Sequence, residues 1–258
     1  MSELDDTVDP TSLGRDAAID LGAFRANVSI LAARAVGGPL VIDMTADAYG
    51  HGLVRLARVA AESGADILSV RDEGDARSIA DAGIGIDVRW WHTERFSIPP
   101  AGSGIAAFGF GMELTDGAPA GVVPVMTVSA PVLSVKRVPE GHGVSYGFVY
   151  RATKETTLAL VPLGYADGIP RAATGSGRMA IHGRPYPIAG RIAMDQVVLD
   201  VGDAPVAPGD RAVAFGPGLE GEPTAAGWAR DSGSTAGEIL ARIGRRVPRR
   251  YIDQEAAR

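Results

Sequence analysis

At 258 residues the chain forms one large domain or two modest ones, and either can bury a core. Apolar residues make up 46% and charged residues 22%, a globular balance without an apolar run long enough to span a membrane. The net charge of −6 excludes a broad basic face, so a nucleic-acid partner is not expected. Cysteine is absent, which excludes disulfides and thiolate chemistry. The histidines, His51, His92, His142 and His182, include no i, i+4 pair for a local zinc site. Only two lysines occur, Lys136 and Lys154. The composition fits a soluble enzyme, expected to be cytoplasmic and to hold no metal.

Residues 1–16 are acidic and polar, lack the apolar core of a signal peptide, and read as a disordered lead-in. Phe24, Val28, Leu31 and Ala35 then recur at helical spacing, predicting a helix over residues 22–36. The apolar run Pro39–Met44 is a buried strand that ends in the polar loop Thr45–Gly52. Leu53–Ser63 reads as a helix stopped by Gly64, Asp66–Val70 as a strand, Glu73–Ala82 as a helix stopped by Gly83, and Val88–Trp91 as a third strand. Alternation of this kind signals βα units and a parallel sheet.

The rhythm breaks at the Pro- and Gly-rich stretch Phe96–Gly104, and one more short strand follows at Ile105–Phe110. From Val122 onward, valine-rich segments alternate with Gly, Pro and Asp turns. They fall near Val125–Val135, Val144–Tyr150, Thr157–Leu163, Met179–Ile181, Pro187–Ile192 and Val197–Val201, as in an antiparallel β domain. A late helix is expected over Thr235–Ile243, with Thr235 and Glu238 spaced as a capping box. The boundary is expected at residues 114–122, giving an α/β domain over 17–116 and a β domain over 117–258.

Several ordered motifs resemble the alanine racemase family. They are Ala46–Gly52 (ADAYGHG), Val144–Gly147 (VSYG), Gly164–Gly168 (GYADG), Gly190–Gln196 (GRIAMDQ) and the ending Arg246–Tyr251 (RVPRRY). The resemblance implies a (β/α)8 barrel followed by a β domain, in a homodimer whose β domains complete each other's active sites. This chain has room for about half of such a barrel. The fold expected is therefore α/β plus β, a shortened barrel-like domain whose open edges are covered by dimerisation or by a rebuilt small barrel.

The family holds pyridoxal phosphate (PLP) through a lysine placed just before the ADAYGHG-type run, and here that position is Thr45. The positions the resemblance gives to a pyridine-contacting arginine and a phosphate-binding tyrosine are Gly102 and Gly237. Around the phosphate it leaves the Gly104 and Ile105 backbone and Tyr49. A hydroxyl forms no imine, so no cofactor is expected, and with it no alanine racemisation.

The candidate catalytic residues begin with Tyr165, which the resemblance makes the catalytic tyrosine, with Asp167 beside it. Both also suit a structural turn. Met194 and Asp195 match the segment that meets the substrate carboxylate. His92 and Glu94 read as an acid–base pair, flanked by Arg95 for an anion and Trp91 as an apolar wall. Asp47 is a candidate base or a turn cap, and Thr45 and Tyr49 are candidate substrate contacts. The function expected is a cofactor-independent isomerase, cyclase or lyase in a secondary-metabolite pathway. The alternatives are a non-catalytic relic that binds a small molecule or a protein, and a racemase that keeps PLP non-covalently.

Overall fold

The structure, a computed structural model, describes residues 13–35, 38–90, 105–107 (backbone) and 121–253. The chain divides into two compact units. The α/β unit comprises Ala18–Met126, Thr235–Ala241 and Tyr251–Arg258; the β unit comprises the segment ending at Ala17 together with Thr127–Ser234 and Arg242–Arg250.

In the α/β unit, helix α1 (Leu21–Arg34) is capped by Asp20, whose carboxylate accepts from Ala23 N at 2.9 Å. Phe24, Val28 and Leu31 bury one face, as their spacing predicts. Asn27 is fully buried on the same helix and both donates to the Val123 carbonyl (2.7 Å) and accepts from Val123 N (3.0 Å). That pairing satisfies an amide that would otherwise be costly to bury.

Strands β2 (Leu40–Asp43), β3 (Ile67–Val70), β4 (Asp87–Trp90) and β5 (Ile105–Ala107) form a parallel sheet in the order β4-β3-β2-β5. Leu68 pairs with Ile42 on one side and Val88 on the other. The predicted βα alternation holds, with α3 (Leu53–Glu62) and α4 (Glu73–Asp81) following β2 and β3. Between β2 and α3 lies α2 (Thr45–Gly50), where a plain loop was expected and a left-handed turn is found. An open groove of about 380 Å³ runs beside β4 against α4, with Arg77, Ile84, Val88 and Trp90 in its walls.

The β unit holds β6 (Met126–Pro131) from Thr127 on, β7 (Ser134–Val138), β8 (Gly143–Val144), β9 (Tyr150–Arg151), β10 (Thr156–Val161), β11 (Arg178–Ile181), β12 (Arg184–Pro187), β13 (Val197–Gly202) and β14 (Arg211–Phe215). One antiparallel sheet runs β13-β10-β7, and β8 pairs with β9. A larger sheet has the order β12-β11-β14-β6-β1-β15, to which the unit contributes Asp16 and Ala17 of β1 (Asp16–Asp20) and Arg249 and Arg250 of β15 (Arg249–Ile252). Val138, Val144, Ala152, Leu158 and Ala189 form a core cluster with Tyr150 and Val198 packed against it.

Several expectations change, among them the strand over Pro187–Ile192: β12 ends at Pro187 and only an isolated bridge at Ile188 follows. The strand predicted over Val144–Tyr150 breaks into β8, a 3₁₀ turn at Tyr146–Phe148 and β9, because Ser145, Gly147 and Phe148 all take positive φ. The lead-in expected through residue 16 ends earlier: Arg15 is buried and Asp16 opens β1. Strand β14 and helix α5 (Ala225–Ser232) were not foreseen, while the predicted late helix appears as α6 (Ala236–Ala241) and groups with the α/β unit. In its capping box Glu238 N donates to Thr235 Oγ1 at 3.2 Å.

Leu68 is fully buried at the centre of the parallel sheet. Leu68→Ala is expected to destabilise the α/β unit by about 2–5 kcal/mol, read from urea unfolding followed by far-UV circular dichroism. A loss below about 1 kcal/mol would show that this sheet is not a packed core.

Candidate active site

The site residues fall in both units, and each set is built locally. In the β unit, β10 runs into the GYADG loop, where Tyr165–Asp167 make a single 3₁₀ turn. Tyr165 N donates to the Ala193 carbonyl and Ala166 N to the Met194 carbonyl, both at 3.0 Å. This close backbone approach requires glycine at 164, since a Cβ there would lie 2.3 Å from the Met194 carbonyl oxygen. The Tyr165 ring is 40% exposed and carries the Arg171 guanidinium 5.8 Å from its centroid.

Asp167 was expected to join Tyr165 in proton transfer. It has no exposed surface, and its oxygens are committed: Oδ2 accepts from Gly164 N at 2.8 Å and Oδ1 from Arg15 Nη1 at 2.7 Å. Arg246 Nε lies 3.2 Å from the same Oδ1, while its Nη2 donates to Asp195 Oδ1 at 2.6 Å. Asp167 is therefore a positioning group that pins the two ends of the turn bearing Tyr165. Met194 and Asp195 are exposed at 52% and 58%, and Asp195 is tied to the same arginine. Sequence reasoning missed Arg15, which sits in the supposed lead-in, and noted Arg246 only as part of a motif.

In the α/β unit, the left-handed turn follows β2 at the strand's C-terminal end, the edge where parallel sheets place their sites. Ala46, Asp47, Ala48 and Tyr49 have φ between 53° and 57°. None is glycine, and at about 1–2 kcal/mol each the turn opposes about 4–8 kcal/mol of intrinsic preference. Its pins are polar. Asp43 Oδ1 accepts from Thr45 N and Oδ2 from the Tyr49 hydroxyl, both at 2.9 Å. The fully buried His51 donates from Nδ1 to the Ala48 carbonyl at 2.8 Å, since a carbonyl can only accept.

Asp47, a candidate base, accepts from Leu53 N at 2.7 Å and so caps α3. Thr45 is half-buried at the start of the turn. Burial, and secondly the Asp43 carboxylate, pushes the Tyr49 phenol up to about 12. Trp91, His92, Glu94 and Arg95 lie outside the described residues. Among the described residues no His, Asp and Glu cluster suits a metal ion, and no helix is long and apolar enough to cross a membrane.

The comparisons with known proteins agree with both halves. The alanine racemase N-terminal domain matches over residues 19–101 and the alanine racemase C-terminal domain over residues 125–251. A solved alanine racemase from D-cycloserine-producing Streptomyces lavendulae is 30% identical, with a TM-score of 0.83 over 93% of this chain and 97% of that one. The chain belongs to the alanine racemase family, and its barrel-like α/β unit and sheet-rich β unit are that family's fold. Among curated relatives, the alanine racemase of Streptomyces coelicolor is 54% identical over 153 residues, which is 58% of this chain and 39% of that protein. That of Thermobifida fusca is 56% identical over 131 residues, 51% of this chain and 35% of that protein. The chain thus spans well under half the length of these two relatives.

These relatives overturn the expectation of a cofactor-independent isomerase, cyclase or lyase, its secondary-metabolite setting, and the expected absence of racemase function. The local chemistry still has to be met. The residues of the turn do not fit PLP held through an amine, because Thr45 stands at the lysine's position and the Tyr49 hydroxyl is bonded to Asp43. The two lysines lie in the β unit, Lys136 on β7 and Lys154 just before β10.

Two measurements check this geometry. Arg15→Ala removes the buried ion-pair partner of a fully buried carboxylate and is expected to cost about 3–5 kcal/mol in denaturant unfolding, whereas Arg246→Ala, at an exposed arginine, costs less than about 1 kcal/mol. Equal losses would show that Arg15 is not the main anchor. The raised Tyr49 phenol contributes stability that is complete below its ordinary pKa near 10 and is lost as pH rises through about 12. The difference between the ultraviolet titrations of the parent and Tyr49→Phe should therefore have its midpoint near 12. A midpoint near 10 would refute the burial of this phenol beside Asp43.

Proposed function

We propose that this chain serves alanine racemisation, the reaction for which its relatives are named, and that its contribution is the Tyr165 phenol as the proton-handling group. The carrying observation is the asymmetry between the two local sites. The loop that presents Tyr165 is clamped through Gly164, Asp167, Arg15 and Arg246. The left-handed turn at Thr45 is pinned as well but bears no amine.

The family resemblance supplies the arrangement that reconciles the two. A racemase β domain completes the active site of a partner subunit, so Tyr165 of this chain works opposite a lysine-bearing racemase subunit. The substrate is a small amino acid, and the proton moves at the Tyr165 phenolic oxygen. Clamping the tyrosine's turn from three sides fixes that oxygen before substrate arrives, which is what positioned proton transfer requires. Asp167 acts through the turn and not on the substrate.

The test is complementation. A lysine-bearing alanine racemase whose own loop tyrosine is replaced by phenylalanine is mixed with this chain and PLP, and alanine racemisation is followed by circular dichroism. Activity is expected to reappear in the mixture and to fall by about 10²–10⁴-fold when this chain carries Tyr165→Phe. A stable mixed assembly that does not racemise alanine would end the proposal.

A further inference from the structure

The substitution at Thr45 has a neighbour that changes its meaning. Asp43 ends β2, two residues before Thr45, and its carboxylate holds both ends of the left-handed turn, through Thr45 N and the Tyr49 hydroxyl. We infer that Asp43 is a second, independent determinant that closes this turn to an amine-anchored phosphate cofactor, so that restoring a lysine at position 45 alone does not restore cofactor attachment. The inference rests on the family reading only in taking the turn as the place where the racemase cofactor is held.

Two physical effects carry it. The first concerns the amine. A lysine at position 45 would start from a backbone nitrogen bonded to the Asp43 carboxylate, so its flexible stem can fold the ammonium group back onto that carboxylate. Such a pairing favours the ammonium form, and only the neutral amine attacks an aldehyde. The second concerns the phosphate. Tyr49 is the side chain that the resemblance leaves near the phosphate, and its hydroxyl is already donated to an anion. A phosphate approaching that phenol meets a negative charge in place of a free donor, and burial together with that charge keeps the phenol protonated up to about 12. Thr45 removes the nucleophile; Asp43 removes the electrostatic conditions for one.

Asparagine at 43 separates these effects from the fold. Its amide oxygen still accepts from Thr45 N and its amide nitrogen can donate to the Tyr49 oxygen, so the turn keeps its pins and loses the charge. The parent, Asp43→Asn, Thr45→Lys and the Asp43→Asn/Thr45→Lys double variant are each incubated with PLP at neutral pH and reduced with borohydride. The new amine condenses with the cofactor aldehyde and releases water; hydride from borohydride then converts the C=N bond to a secondary amine. Peptide mass spectrometry separates adducts at position 45 from those at Lys136, Lys154 and the N-terminus.

The double variant is expected to label at position 45 about tenfold faster than Thr45→Lys, because the neutral amine becomes about tenfold more abundant when its pKa falls by about one. Equal rates in the two lysine variants overturn the inference. Should a lysine variant fail to fold by circular dichroism, the single Asp43→Asn variant decides instead. Its Tyr49 titration must drop clearly below the parent's midpoint near 12, and an unmoved midpoint overturns the inference as well. Neither readout depends on racemisation or on a partner subunit, so failure here is distinct from failure of the complementation test.

Discussion

A single buried carboxylate organises the half of the molecule that carries Tyr165. Asp167 has no solvent contact, and burying such a charge without partners would cost several kcal/mol. It is met by a backbone amide three residues earlier and by two arginines distant in sequence, Arg15 and Arg246. Each bond that makes the burial tolerable also removes a freedom of the turn on which Tyr165 sits. Tyr165 stays partly exposed while the turn that carries it is pinned at Gly164 and Asp167.

The α/β unit carries a turn held largely by its own side chains. The ADAYGHG run folds as four left-handed residues between a buried strand and an amphipathic helix, with Asp47 capping that helix and His51 bonded back into the turn. Asp43, outside the run, adds bonds to Thr45 N and to the Tyr49 hydroxyl.

Much of this architecture was legible in the sequence. The βα alternation from β2 to β4 follows from apolar runs bounded by Gly64 and Gly83, and α1 from the spacing of Phe24, Val28 and Leu31. Identity of the motifs led to Tyr165 and Thr45. What stayed hidden was long-range pairing. Nothing in the local pattern around Arg15 marks it as the partner of a carboxylate 152 residues away. Asp167 looked like a second acid because sequence shows the neighbour and not the burial. Asp43 passed within the apolar run Pro39–Met44, and its bond to Tyr49 appears only once the chain reverses its hand. The handedness itself was illegible, because alanine and tyrosine carry no signal for positive φ.

That reversed hand has a kinetic corollary. A segment of L-residues does not nucleate a mirror-image turn on its own, so the conformation must be imposed by surroundings that have already assembled. The turn from Ala46 to Tyr49 should thus be among the last parts of its unit to form, after β2 and α3 have docked. Mutations in it should leave the refolding rate nearly unchanged and appear almost wholly in the rate of unfolding, giving φ-values near zero, whereas values near one would show the turn in the folding nucleus.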